Sequence, residues 1–159
     1  MSTENQSVCA VVVAAGSSRR MGGENKLLLP LCGKPVLAHT LTVFQMCGAV
    51  RDIVLVCREQ DMEVYRTLAA ENGITKLRTL TRGGDTRTES VLAGVSAASE
   101  ACALVAVHDG ARPLVSDEVI TQAVAEAAKT GAAAPVVPVK DSIKRIENGK
   151  IAADVPRDT

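Results

Sequence analysis

Residues 9–15 read CAVVVAA, an unbroken apolar run built around three adjacent valines. β-Branched side chains are stiff at χ1 and favour an extended backbone. A strand without polar alternation has no face to turn toward water, so both of its faces must be covered, as in a parallel sheet. The requirement recurs along the chain. Residues 52–57 (DIVLVC) and 102–107 (CALVAV) read as further buried strands, 132–137 (AAAPVV) as a fifth, and a short strand is expected near 76–81.

Helical patterns lie between these runs. After a Gly-Lys-Pro turn, residues 36–47 place Val36, Leu37, Thr40, Val43, Phe44 and Cys47 on one face. Asp61 is a candidate cap for a helix carrying Val64, Leu68 and Ala69 and stopped at Asn72-Gly73. Thr86-Arg87-Thr88-Glu89 has capping-box spacing and opens a helix expected to carry Val91, Leu92 and Val95. Ser116 caps another, with Val119, Ile120, Ala123, Val124 and Ala127 inward and Gly131 at its end. Strands alternating with helices of this length predict right-handed βαβ units, an α/β fold with a mostly parallel, doubly wound sheet. Residues 138–146 and 151–155 flank Asn148-Gly149 and predict a protruding β-hairpin arm. An isolated hairpin is marginal in water, so a second surface is expected against it, most simply another copy of the chain. The expected organisation is a disordered tail over 1–7, a nucleotide-binding α/β domain over 8–137, and the arm over 138–159.

Composition narrows the function. One Phe, one Tyr and no Trp leave an aliphatic core and no aromatic platform for stacking single-stranded bases. Eighteen basic residues balance eighteen acidic ones, so no global field invites nucleic acid or an anionic membrane. No apolar run approaches the roughly 20 residues that span a bilayer, and the start, MSTENQSV, has no apolar signal core. The five cysteines include no CxxC and mostly sit in or beside apolar runs, which predicts reduced, largely buried thiols in a cytoplasmic protein.

The charge is concentrated locally. Gly16-Ser17-Ser18 follows the first strand, then Arg19, Arg20, Gly22-Gly23 and Lys26. Small side chains let backbone N–H groups approach a ligand, and the cations compensate a polyphosphate. Neither GxxxxGK[ST] nor GxGxxG occurs, so this is not an ordinary NTPase loop or dinucleotide fingerprint. Two more loops follow apolar strands, Gly83–Ser90 and His108–Pro113. In an open α/β sheet such loops converge beyond the carboxyl ends of the strands. From the residues alone, Asp109 is either a Mg²⁺ ligand, since that ion takes oxygen donors and substrate phosphates, or a loop or cap residue. Ser90 and Arg87 are equally open to ordinary helical roles, and His108 reads as a packing residue.

The pattern Ala14-Ala15-Gly16, Ser17-Ser18, Arg20-Met21 and Lys26 resembles the signature loop of nucleotidyltransferases that couple a nucleoside triphosphate to a phosphorylated sugar or alcohol. With GGDTRTESVLAG, VHDGARP, PVKDSIKRI and VPRD in order, the chain from Val8 onward resembles the 2-C-methyl-D-erythritol 4-phosphate cytidylyltransferases of non-mevalonate isoprenoid biosynthesis. Ribitol-5-phosphate cytidylyltransferases share the second and third motifs; molybdenum-cofactor cytidylyltransferases resemble only the first segment. The resemblance implies cytidylyl transfer from CTP to a polyol phosphate, a Mg²⁺ requirement and a homodimer joined through the arm. It implies that Ala14, Ala15, Gly16 and Ser17 contact cytidine and the triphosphate, and that Arg20 and Lys26 neutralise the α-phosphate. It gives Gly84, Asp85, Arg87 and Ser90 to cytosine, and Gly110 to the nucleotide. Asp109 falls near the metal and the substrate hydroxyls, while Arg112, Ser142 and Arg157 meet the sugar phosphate, the last two from the partner's arm. Two departures stand out. Ser142 replaces the usual Thr, and the chain stops at Thr159, where such proteins continue into a TPQ segment, further helices and a second catalytic lysine. The expectation is a fragment lacking one cation of the transition-state clamp, an incomplete CTP-binding form being the alternative.

Overall fold

The computed structural model describes residues 7–16, 24–138 and 140–156. Its centre is a four-stranded parallel sheet. The strands are β1 (Val8–Val13), β4 (Val50–Cys57), β5 (Leu77–Arg82) and β6 (Leu104–Asp109), in the order β5-β4-β1-β6. Between β1 and β4 come a small antiparallel pair, β2 (Pro30–Leu31) with β3 (Lys34–Pro35), and α1 (Val36–Met46). A 3₁₀ turn, Glu59–Asp61, leads into α2 (Met62–Glu71), and α3 (Arg87–Ser96) joins β5 to β6. After α4 (Asp117–Thr130) the chain ends in the arm, β7 (Ile143–Glu147) paired with β8 (Lys150–Val155) across Asn148-Gly149.

The central position of β1 follows from its valines. Val12 lies between Leu55 of β4 and His108 of β6, and every β1 residue except half-buried Val13 is buried. Ala10, Val12 and Ala14 face the larger core with Ile53, Leu55, Leu37, Leu41, Phe44, Tyr65 and Leu68, under α1, α2 and α4. Cys9, Val11, Val54 and Val56 form the other face, under α3. The chain winds outward from β1 to β5, then crosses the second face to reach β6. The loops after β1 and β6 therefore flank a topological switch point, where open α/β sheets bind ligands.

The structure corrects or adds to the sequence reading at five points. First, residues 132–137 form no strand; Val136 and Val137 are 87% and 83% exposed, and no strand among the described residues pairs with them. Second, β6 is the edge of the described sheet, so Val105 and Val107 are about 40% exposed instead of covered. Third, α3 buries Ser90 and Gly94, and Leu92 and Val95 face outward. Fourth, Asp61 makes no side-chain cap because its carboxylate takes the Arg58 guanidinium at 2.6 and 3.2 Å, and α2 buries Tyr65 with Leu68 and Ala69 while Val64 is exposed. Fifth, α4 fully buries only Ile120, and Val119 is exposed.

Smaller differences follow local bonds. Ser7, assigned to the tail, donates its hydroxyl to Ala101 O at 2.6 Å; residues 1–6 lie outside the described residues. Cys32 is exposed on the β2–β3 turn, whereas Cys9, Cys47 and Cys57 are buried. Burial pushes the Cys9 and Cys57 thiols up to about 11, so these behave as small apolar side chains. His108 packs its ring edge on Phe44, 5.0 Å between centroids, as expected of a packing residue. Its Nδ1 is buried without a hydrogen-bond partner among the described residues, and burial holds its pKa below the usual histidine value, so the neutral ring is favoured.

Candidate active site

Each strand hands its ladder on to the loop beyond it. Ala14 N–H donates to Val56 O at 2.7 Å, Gly83 N–H to Cys57 O at 2.9 Å, and Gly110 N–H to Val13 O at 2.8 Å. The first residues after β1, β5 and β6 are thus fixed by neighbouring strands and leave the sheet at one end. They surround an open cavity of about 940 Å³. Ala14, Ala15, Gly16, Lys26, Gly84, Asp85, Arg87, Ser90, Asp109 and Arg112 all line it. Ser17, Arg20 and Arg157 lie outside the described residues.

The close approach of two of these loops depends on Gly83. A Cβ there would sit 2.5 Å from Ala15 Cβ and 2.7 Å from Ser90 Oγ. Below it, α3 starts with a complete capping box: the Thr86 hydroxyl accepts Glu89 N–H at 3.1 Å and the Glu89 carboxylate accepts Thr86 N–H at 2.9 Å. Those hydrogen bonds hold the Glu89 carboxyl below the usual range. Ser90, 3% exposed, accepts Gly84 N–H at 3.2 Å and donates to Thr86 O at 3.0 Å. Its hydroxyl shapes the 84–86 turn as well as lining the cavity.

Asp109 stands between two cations. Its Oδ1 accepts from Arg87 Nε at 3.2 Å and from a second Arg87 nitrogen at 2.9 Å, while Oδ2 meets Arg112 Nε at 3.0 Å. These guanidiniums are largely exposed, so the pairs contribute modestly to stability. The site is electropositive all the same, because its described lining carries Lys26, Arg58, Arg82, Arg87 and Arg112 against Glu59, Asp85 and Asp109. Among the described residues no group of three His, Cys, Asp or Glu side chains could hold a metal. Mg²⁺ in nucleotide sites needs fewer, one or two carboxylates with substrate phosphates and water, and Asp109 fits that donor set.

Gly110 and Ser142 stand apart from the cavity lining. Gly110 is buried beneath the Asp109 loop, and its carbonyl accepts the fully buried Thr40 hydroxyl at 2.8 Å. Ser142 is exposed just before β7 on the arm. Thr40→Val keeps the shape and leaves that carbonyl without its donor; the expected loss is about 1–2 kcal/mol of unfolding free energy. Thr40→Ser restores most of it. Denaturant unfolding of the two variants checks this, and equal stability for both would remove the hydroxyl from the account.

Sequence reasoning missed one wall. Arg58, Glu59 and Gln60 after β4, with Arg82 at the end of β5, also line the cavity, and Arg82 meets Glu59 at 3.4 Å. No glycine or motif marks that loop. The strand-end rule applied to β4 would have found it.

The family model described as IspD, 2-C-methyl-D-erythritol 4-phosphate cytidylyltransferase, matches residues 8–159. A protein of that name from Dehalococcoides mccartyi strain 195 is 42% identical over 155 residues, covering 97% of this chain and 68% of the relative. One from Halalkalibacterium halodurans is 45% identical over 149 residues, covering 93% and 65%. The crystal structure of 4-diphosphocytidyl-2C-methyl-D-erythritol synthase from Anaerococcus prevotii superposes with a TM-score of 0.80 at 25% identity, covering 98% of this chain and 66% of that one. A second structure of that synthase gives 0.73 at 27% identity, covering 99% and 71%. The chain spans about two thirds of the length of these relatives.

Proposed function

The chain belongs to the 2-C-methyl-D-erythritol 4-phosphate cytidylyltransferase family, and from that premise we propose that it carries the family's reaction. The phosphate of 2-C-methyl-D-erythritol 4-phosphate attacks the α-phosphorus of CTP in line, pyrophosphate leaves, and 4-diphosphocytidyl-2-C-methyl-D-erythritol forms. The observation that supports this best is the single cavity that gathers the loops after β1, β5 and β6.

The acceptor brings its own anionic nucleophile, so positioning and charge compensation supply the catalysis. The Gly16 loop and Lys26 receive the triphosphate, with Arg20 assigned beside them by the resemblance. Gly84, Asp85 and Ser90 border the base, Arg87 closes that pocket toward Asp109, and Gly110 supports the nucleotide from beneath. Arg112 takes the acceptor phosphate, and Ser142 and Arg157 are assigned to the same phosphate across a dimer. Asp109 would hold Mg²⁺, which screens phosphate charge when bound. Unpaired thiols support a reducing, cytoplasmic setting, and no helix among the described residues is long and apolar enough to cross a membrane.

A coupled pyrophosphate-release assay tests the reaction. The expected result is release that depends on CTP, Mg²⁺ and methylerythritol phosphate. Equal or faster release with ribitol 5-phosphate would assign a different acceptor, and CTP binding without release would leave only a binding module.

The arm supports a dimer. It pairs Ile143 with Val155 and Ile146 with Ile151, and all four side chains are 40–66% exposed. Sedimentation equilibrium should give a dimer at micromolar concentration and a shift toward monomer for Ile151→Glu; a wild-type monomer would remove the arm's proposed role.

A further inference from the structure

We propose that Tyr65 and Asn25 form a positioning pair that holds Lys26 in the cavity, an inference that deepens the cytidylyl-transfer reading and rests on it. Tyr65 is the only tyrosine of the chain, and on α2 it is fully buried. A phenylalanine would fill nearly the same space without bringing a polar atom into the core. The hydroxyl has a specific partner, the Asn25 side-chain amide, which donates to it at 2.9 Å across 40 residues of sequence.

Both ends of Asn25 are used. Its Oδ1 accepts Leu27 N–H at 3.2 Å, which leaves the NH₂ group for Tyr65 and fixes the orientation of the amide. Its backbone carbonyl accepts Leu28 N–H at 2.9 Å. On the far side, Leu27 is 4% exposed, and its carbonyl accepts Leu37 N–H at 3.0 Å from the start of α1. Lys26 is therefore held between two anchored residues, one tied to α2 and the other to α1. Its own side chain is exposed and lines the cavity, and among the described residues it forms no ion pair.

The arrangement answers a physical difficulty. A lysine ammonium ends a flexible four-carbon stem, so its charge is only as well placed as its backbone. In charge-stabilised transfer, small displacements of a cation cost large factors in rate. A hydroxyl in the core that fixes the backbone on one side of that lysine gives the precision that a free loop lacks. Burial pushes the Tyr65 phenol up to about 12, so the hydroxyl keeps its proton throughout the working range.

Tyr65→Phe removes only the hydroxyl, Asn25→Ala removes the whole link, and Asn25→Asp keeps an acceptor for Leu27 N–H and offers Tyr65 a second one. Amide hydrogen exchange at Leu27 and Leu28 should quicken about tenfold in Tyr65→Phe and Asn25→Ala, with Val12 and Leu55 unchanged and Asn25→Asp largely restored. For pyrophosphate release, kcat should fall about tenfold in the same two variants, with KM for CTP within about twofold. In a Lys26→Ala background Tyr65→Phe should cause no further loss. Unchanged exchange, a wild-type kcat despite faster exchange, or the same loss without Lys26 would each overturn the pair. A wild-type chain that turns over no methylerythritol phosphate would instead defeat the functional reading. The pair is then decided by exchange alone, where unchanged rates at Leu27 and Leu28 in Tyr65→Phe and Asn25→Ala would overturn it.

Discussion

Lys26→Ala lowers kcat for pyrophosphate release by about 10²–10³, the loss of roughly 2–4 kcal/mol expected when one charge contact to a developing transition state is removed. The fold should be indifferent. Lys26 is exposed, and the neighbouring contacts to the core are made by Asn25 and Leu27. The melting temperature should therefore stay with the wild type while turnover falls, which separates a chemical role from a structural one. Lys26→Arg keeps the charge on a longer, planar head and should recover only part of the rate, because the ammonium is a compact donor placed by a fixed backbone. The effect should appear in kcat more than in KM for CTP, since Arg20 and Mg²⁺ also meet the triphosphate in the proposed complex. A variant with near-normal kcat would remove Lys26 from the mechanism and leave the electropositive cavity without its proposed purpose.

The parts of the chain that were legible in sequence are those whose environment is uniform. β1 and β4 are covered on both faces, so their valine-rich runs announce them. The Thr86–Glu89 capping box and the Asn148-Gly149 turn are local chemistry and appear where the residues require. Errors arose where burial depends on a distant neighbour. Tyr65 does not stand out beside Val64 by hydropathy, yet the core takes the large ring with its polar tip and leaves the valine exposed. Residues 132–137 have strand composition, but a strand exists only as part of a ladder, and none is offered to them among the described residues. The site divides in the same way. Its glycine loops were legible because a backbone approaching a ligand needs small residues. The clasp of Asp109 by Arg87 was not, because the two lie 22 positions apart and meet only through the strand order.

Gly94 carries the second large prediction, and two principles oppose each other there. In an exposed helix interior, Gly→Ala favours folding by about 1 kcal/mol. On α3, though, a Cβ at this position would lie 2.3 Å from Val11 Cγ1 and 2.7 Å from Val56 Cγ2. Both neighbours are buried valines on the two central strands, stiff at χ1 and packed from either side. They cannot swing aside, so the helix must lift. Overpacking of this kind costs roughly 1–3 kcal/mol and occasionally more. Gly94→Ala should thus lose up to about 2 kcal/mol net, despite its better helix propensity. Gly94→Val adds two further methyl groups and a poorer propensity, and should lose about 3 kcal/mol or more. That corresponds to roughly 6–12 °C in melting temperature for a chain of this size. The consequence reaches the site, because lifting α3 carries Ser90 away from Gly84 and opens the wall shared by Gly83 and Ala15. CTP affinity should therefore fall even where Gly94→Ala remains folded. Val11→Ala should relieve the strain, making the double variant more stable than the sum of the single losses predicts. A rise in melting temperature for Gly94→Ala would mean that α3 rests less tightly on the sheet than these distances require, and that the cavity is not set by the seating of that helix.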